Sequence, residues 1–294
     1  MSKLTLQIRH STHYAFAQPV VHALQRLRLT PKATQGQRII DWRMTFENAH
    51  AELQYDDQHF NHVTLIGLAP GAREVTVTCE GVVETEDNAG VIGRHSGHLP
   101  LWSFLRQTPL TRPGARLRAL LREAQGSGGA APLAFLHALS GLIRERVTYE
   151  AGRTHSATTA EEAATHGYGV CQDHAHIFIG AARAGGIPAR YVSGYLMMDD
   201  RIQQEATHAW AEAHVEGLGW VGFDVSNGIS PDPRYVRMAT GSDYRDAAPV
   251  TGISFGSTAD EVLTVGLTVE ARSPTGQLQQ QGPGTGQQQS QSTQ

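Results

Sequence analysis

Residues Gly167 to Tyr195 read G-Y-G-V-C-Q-D-H-A-H-I-F-I-G-A-A-R-A-G-G-I-P-A-R-Y-V-S-G-Y. Gly167 and Gly169 make a flexible approach to Cys171. Residues 171–184 then predict a helix, with Ala175, Phe178, Ile179 and Ala182 on one apolar face and Gly185 as a left-handed stop. Small residues around Ala181 let such a helix lie close to a sheet. Ile187-Pro188 closes the turn, and 190–196 reads as a strand. A cysteine in the first turn of a helix has a chemical consequence. The unpaired amides and the helix dipole favour its thiolate, the nucleophilic form.

Downstream, His208, Trp210, Glu212 and His214 alternate with Ala209, Ala211, Ala213 and Val215. The small second face suits packing against the cysteine helix. Trp220, Gly222 and Asp224 alternate with Val221 and Phe223, and E-G-L-G joins the two strands as a hairpin. A nucleophilic thiol needs a base within reach, and the base needs an acceptor that orients it. Cys171, His208 and Asp224 supply all three. A two-residue turn at Gly217-Leu218 would pair Asp224 with Ala211, so the triad requires twist, a bulge or a longer loop.

Upstream, alternating apolar residues at Leu4, Leu6 and Ile8, at Trp42, Met44 and Phe46, and at Val75, Val77 and Cys79 predict short strands between turns. They suggest an antiparallel β-sandwich over 1–90. Cys79 reads as a small buried hydrophobe. Residues 86–98 form a boundary, and helices are predicted at 113–124 and 132–147. Thr159 with Glu162 fits a capping box before another short helix. Val262 to Val269 is a last strand, which gives a core of 91–272. The remainder, 273–294, is a Gln-rich tail predicted to be disordered. The fold class is α+β.

The 294 residues carry a net charge of -4, which argues against a nucleic-acid surface. No apolar run is long enough to span a bilayer, and residues 1–30 lack the apolar centre of a signal peptide. The 2 cysteines form no disulfide framework. A cytoplasmic location is therefore expected. The sequence leaves the oligomeric state open.

The blocks C-Q-D-x-A-H, G-I-P-A-R-Y-V-S-G-Y and T-H-A-W-A-E-x-x-V-x-G-L-G-W-V-G-F-D resemble those of bacterial transglutaminase-like proteins. The opening L-x-I-x-H-x-T-x-Y, from Leu4 to Tyr14, resembles that family's N-terminal β domain. The resemblance covers about residues 1–270. It implies a papain-like, transglutaminase-like core with Cys171 as nucleophile, His208 as base and Asp224 as acid. Three places depart from the family's usual pattern. His174 stands where an aromatic follows C-Q-D. Val225-Ser226 stands where Pro-Thr follows the acid, and Ser242 replaces the arginine of G-R-D-Y. Asn227-Gly228 are retained.

The chemistry implied is cysteine-dependent acyl transfer on a peptide or protein carboxamide through a thioester, needing no metal or cofactor. Hydrolysis is favoured over transfer to an amine acceptor. The Cys171 amide is a candidate oxyanion donor, with Gln172 or Tyr168 as a second, and Trp210 is a candidate for the acyl channel. Three other readings stay open: a true protein-glutamine transglutaminase, a non-catalytic binding or scaffold protein, and a zinc-dependent hydrolase. For zinc, Cys171, Asp173, His174, His176 and His208 are suitable types, but His174 and His176 lie two apart on a helix and do not share a face.

Overall fold

A computed structural model of the chain describes residues 2–129, 131–204, 206–255 and 261–272. The expected 273–294 tail lies outside them. The first strand, Lys3–Phe16, buries every second residue from Leu6 to Tyr14, as its alternation predicts. It lies inside a five-stranded antiparallel sheet ordered Gln203–Gln204, Glu261–Ala271, Lys3–Phe16, Glu74–Glu86, Gln37–Glu47. A four-stranded sheet ordered Val250–Phe255, His22–Leu27, His62–Leu68, Ala49–Asp56 packs against it. Leu6, Ile8, Val75, Val77 and Cys79 from the first sheet meet Leu27, Ile66 and Leu68 from the second. This is the expected sandwich.

Its boundary differs from the expected 1–90. Val250–Phe255 pairs with His22–Leu27, and Glu261–Ala271 pairs with Lys3–Phe16 from Phe16↔Glu261 to Leu6↔Ala271. The end of the expected 91–272 core is thus woven into the sandwich. The physical reason is the long first strand, whose outer edge would otherwise expose a row of unpaired amides and carbonyls.

The core is built on a third sheet, ordered Tyr235–Gly241, Ala189–Leu196, His208–Val215, Gly219–Phe223, Val91–Gly93. Ala189–Leu196 is buried at every position because the sheet is covered on both faces. Tyr195, Val236 and Met238 pack into the sandwich core. On the other face, Ala209, Ala211 and Ala213 meet Ala175, Phe178 and Ala182 of the Cys171–Ala184 helix. Helices Ala115–Gly128, Pro132–Arg146 and Ala160–His166 complete that layer. The last of these starts at the predicted capping box, with Thr159 and Glu162 bonded reciprocally.

The Cys171 helix is buried all round from Asp173 to Arg183, where the sequence predicted one apolar face. Several of its polar atoms find partners inside the protein, while Asp173 Oδ1 and His176 Nδ1 are buried without one. Arg183 donates to the carbonyls of Ala189, Arg106 and Ser242, and His176 Nε2 accepts from the Tyr244 amide at 3.1 Å. A side chain at Gly180 would strike the Thr111 carbonyl, so glycine allows the 107–111 segment to close over the helix. The left-handed residue after the helix is Gly186, one later than expected; Gly185 has φ -81°.

Candidate active site

Cys171 is the first residue of its helix, and Val170 is the N-cap. Asp173 accepts from the Val170 amide at 2.8 Å and from the Thr154 hydroxyl at 2.7 Å, pinning the helix start. Burial pushes the Asp173 carboxyl up from its ordinary range, against these bonds. The approach strand Tyr168–Gly169 is held by parallel pairing with Thr148–Tyr149. Cys171 is partly exposed, and Cys79 is fully buried in the sandwich. Burial pushes the Cys79 thiol up to about 12.

The hairpin register resolves the difficulty with Asp224. Val215 pairs with Gly219 and Ala211 with Phe223, so the loop has three residues instead of two. Gly217 and Gly219 both adopt positive φ, 83° and 84°. The backbone of Gly93 also leaves no room for a side chain at Gly219. The extra residue shifts the register by one. Asp224 follows directly after the Ala211↔Phe223 pair, opposite Trp210, on the face that carries His208.

His208 Nε2 donates to Asp224 Oδ2 at 2.6 Å, with the carboxylate fully buried. With Nε2 committed to Asp224, Nδ1 is the ring nitrogen left for the Cys171 thiol, which lies close enough to raise the His208 pKa. Burial works to lower the His208 pKa. The negative charge of Cys171 and the bonds from Asp224 and Cys171 outweigh it and raise the value to about 10. The arrangement thus favours the imidazolium form of His208.

Asp224 is held by more than the histidine. Asn227 Nδ2 and Tyr235 Oη each donate to Asp224 Oδ2 at 2.7 Å. Against the cost of burial, these bonds and the one from His208 hold the carboxyl below its ordinary range. The role of Tyr235 is not visible in the sequence analysis, because its strand comes from the far side of the sheet. Alternation in Tyr235–Gly241 was the available signal. A cleft of about 630 Å³ opens onto His208, lined also by Tyr149, Met198, Asn227, Arg234 and Tyr235. Tyr149 lies near Cys171.

The three auxiliary candidates fall elsewhere. Gln172 donates its amide to the Ser156 carbonyl at 3.3 Å. The Tyr168 ring is stacked by His166 and capped by the Arg153 guanidinium at 4.3 Å. Trp210 is 2% exposed and packs with Val192, Leu196 and Tyr235, with its ring 6.2 Å from His208. It forms a wall behind the histidine. Its Nε1 is buried without a hydrogen-bond partner.

His174 has both nitrogens occupied. Nε2 donates to the Val147 carbonyl at 3.0 Å, which leaves Nδ1 to accept from the Ser226 hydroxyl at 2.8 Å. Burial lowers its pKa and keeps it neutral. His174→Phe should lower stability by about 1–3 kcal/mol, read as a fall in Tm, and leave the alkylation of Cys171 in place. Among the described residues no three His, Cys, Asp or Glu side chains gather as a metal-ligand set.

Behind the site, Glu212 is fully buried between Arg190 and Arg237, bonded at 2.7 Å by Arg190 Nε and at 2.5 and 2.9 Å by Arg237. Burial alone would raise its pKa, but the charges of Arg237 and Arg190 prevail and hold it at about 2. The stability Glu212 contributes is therefore complete above its unfolded value of 4.5 and is lost as pH falls through about 2. Glu212→Gln should cost about 3–5 kcal/mol in urea unfolding at neutral pH, with a flatter acid dependence than wild type.

A family model described as the transglutaminase-like superfamily matches residues 121–225, and one described as the bacterial transglutaminase-like N-terminal region matches residues 6–84. The two models together place a transglutaminase-like core and a bacterial transglutaminase-like N-terminal region in this chain. It is 28% identical over 278 residues to the uncharacterized protein ML0607 of Mycobacterium leprae, covering 88% of this chain and 96% of that one. It is 29% identical over 289 residues to the uncharacterized protein Rv2569c of Mycobacterium tuberculosis, covering 90% and 91%. A crystal structure from Cytophaga hutchinsonii, named as a candidate cysteine protease, shares the fold with a TM-score of 0.69 at 21% identity, covering 92% of this chain and 99% of that one.

Proposed function

We propose that the protein catalyses cysteine-dependent acyl transfer from a peptide or protein carboxamide, with water as the favoured acceptor. The observation that carries this reading is the buried 2.6 Å bond from His208 to Asp224 beside a partly exposed cysteine at a helix start. The Cys171 sulfur attacks the carbonyl carbon. The Cys171 amide, which has no intrahelical acceptor at that position, stabilises the oxyanion. His208 then protonates the departing amine, leaving a thioester on Cys171. In the second half, His208 takes a proton from water as it attacks the thioester, and the acid is released with the thiolate restored. Asp224 holds the imidazole in place and supports its positive charge.

Water is favoured because the cleft beside His208 is open and its charged rim is already paired. Arg234 binds Asp199 and Asp232, and Arg201 binds Asp200, so neither Asp199 nor Asp200 on the rim awaits an amine. Cysteine usage keeps the cytoplasm as the proposed compartment. The test is mass spectrometry of a glutamine-peptide library with and without a primary amine. Deamidated or shortened peptides and free ammonia are expected. Amine incorporation that outruns hydrolysis would replace this reading with cross-linking. A library left intact would favour a binding role.

A further inference from the structure

We propose that the seam between the sandwich and the core sheet binds a small multivalent oxyanion, a phosphate or a polycarboxylate. A cavity of about 510 Å³ lies there, within the usual range for small-molecule sites. Three guanidinium groups and one amine line it: Arg94, Arg190, Arg237 and Lys32. Asp56 is the one carboxylate among the lining residues, and its Oδ1 is bonded to His62 at 3.2 Å.

Two of the cations are over nine-tenths buried, Arg190 at 8% and Arg237 at 5% exposure. They share the single charge of Glu212. Arg190 uses only Nε for it, and Arg237 uses Nε and Nη2. Among the described residues, both terminal nitrogens of Arg190 and Nη1 of Arg237 have no hydrogen-bond acceptor. Trp220 lies under the Arg190 guanidinium at 3.9 Å and fixes its plane. A fixed guanidinium fork with free N–H groups matches the oxygens of a carboxylate or phosphate.

Lys32 adds an amine that an anion in the cavity would draw into its protonated form. Its Nζ donates only to neutral acceptors, the His59 carbonyl at 2.6 Å, Asn61 Oδ1 at 2.9 Å and Thr240 Oγ1 at 3.2 Å. Burial, then the charges of Arg237 and Arg190, hold Lys32 down to about 6. Buried positive charge without a counter-charge is costly, and an anion in the cavity would relieve it. Nothing in the acyl-transfer reading uses these groups, so this site stands or falls separately.

The test is isothermal titration of the full chain with inorganic phosphate and, in a second arm, with citrate, both at constant ionic strength set with sodium chloride. Saturable binding of one equivalent is expected in at least one arm, and the tighter arm identifies the ligand class. Arg190→Lys keeps a charge for Glu212 but removes the free fork, and should weaken binding about tenfold or more. If that variant does not fold, Arg94→Gln at the exposed mouth decides alone, with weaker binding expected. Absence of saturable heat in both arms, or unchanged affinity in the deciding variant, overturns the proposal.

Discussion

Cys171→Ala is expected to abolish covalent turnover and to leave the fold intact. The thiol is partly exposed, so its loss opens no sealed cavity. The helix start is pinned by Asp173, Val170 and Thr154, none of which depends on the sulfur. The other thiol, Cys79, lies in the sandwich core and cannot stand in. Ammonia release from an accepted carboxamide, beside a thermal melt of the same sample, reads the two halves of this expectation. Residual turnover at a tenth of wild type would move the chemistry off Cys171.

Asp224→Asn should lower turnover by about 10²-fold or more with little change in folding. Three donors, from His208, Asn227 and Tyr235, converge on Asp224 Oδ2. Asparagine keeps one acceptor but turns the other group into a donor facing donors. It also removes the charge that helps raise His208 to about 10. The His208 pKa should therefore fall, and the alkaline limb of the pH–rate profile should move to lower pH. A purely structural role would not move that limb. Unchanged activity and an unchanged limb would remove Asp224 from the mechanism.

Much of this site was legible because it is local. The helix at Cys171, the alternation from His208 to Val215 and the Thr159 capping box all rest on near neighbours in sequence, and they occur where predicted. The face of Asp224 was not legible. It depends on one loop residue, and two glycines with positive φ decide for three residues over two. Tyr235 was missed because its bond to Asp224 joins strands that are not neighbours in the sheet. The return of Glu261–Ala271 to the first strand was hidden for the same reason: alternation marks a strand without naming its partner.

Two departures from the family's pattern turn out to touch. His174 and Ser226, read separately in sequence as substitutions of an aromatic and of Pro-Thr, are bonded at 2.8 Å. The exchange couples the helix of Cys171 to the turn after Asp224, beside the retained Asn227. Sequence spacing could not reveal that the two replacements form one structural unit.

The most direct test needs no substrate. The chain has 2 cysteines, so limited iodoacetamide treatment of the folded protein at neutral pH, followed by peptide mapping, compares them internally. Cys171 should label much faster than Cys79, and His208→Ala should slow the labelling of Cys171 alone. Equal or reversed labelling of the two thiols, or a Cys171 rate indifferent to His208→Ala, would contradict a thiol activated by this histidine.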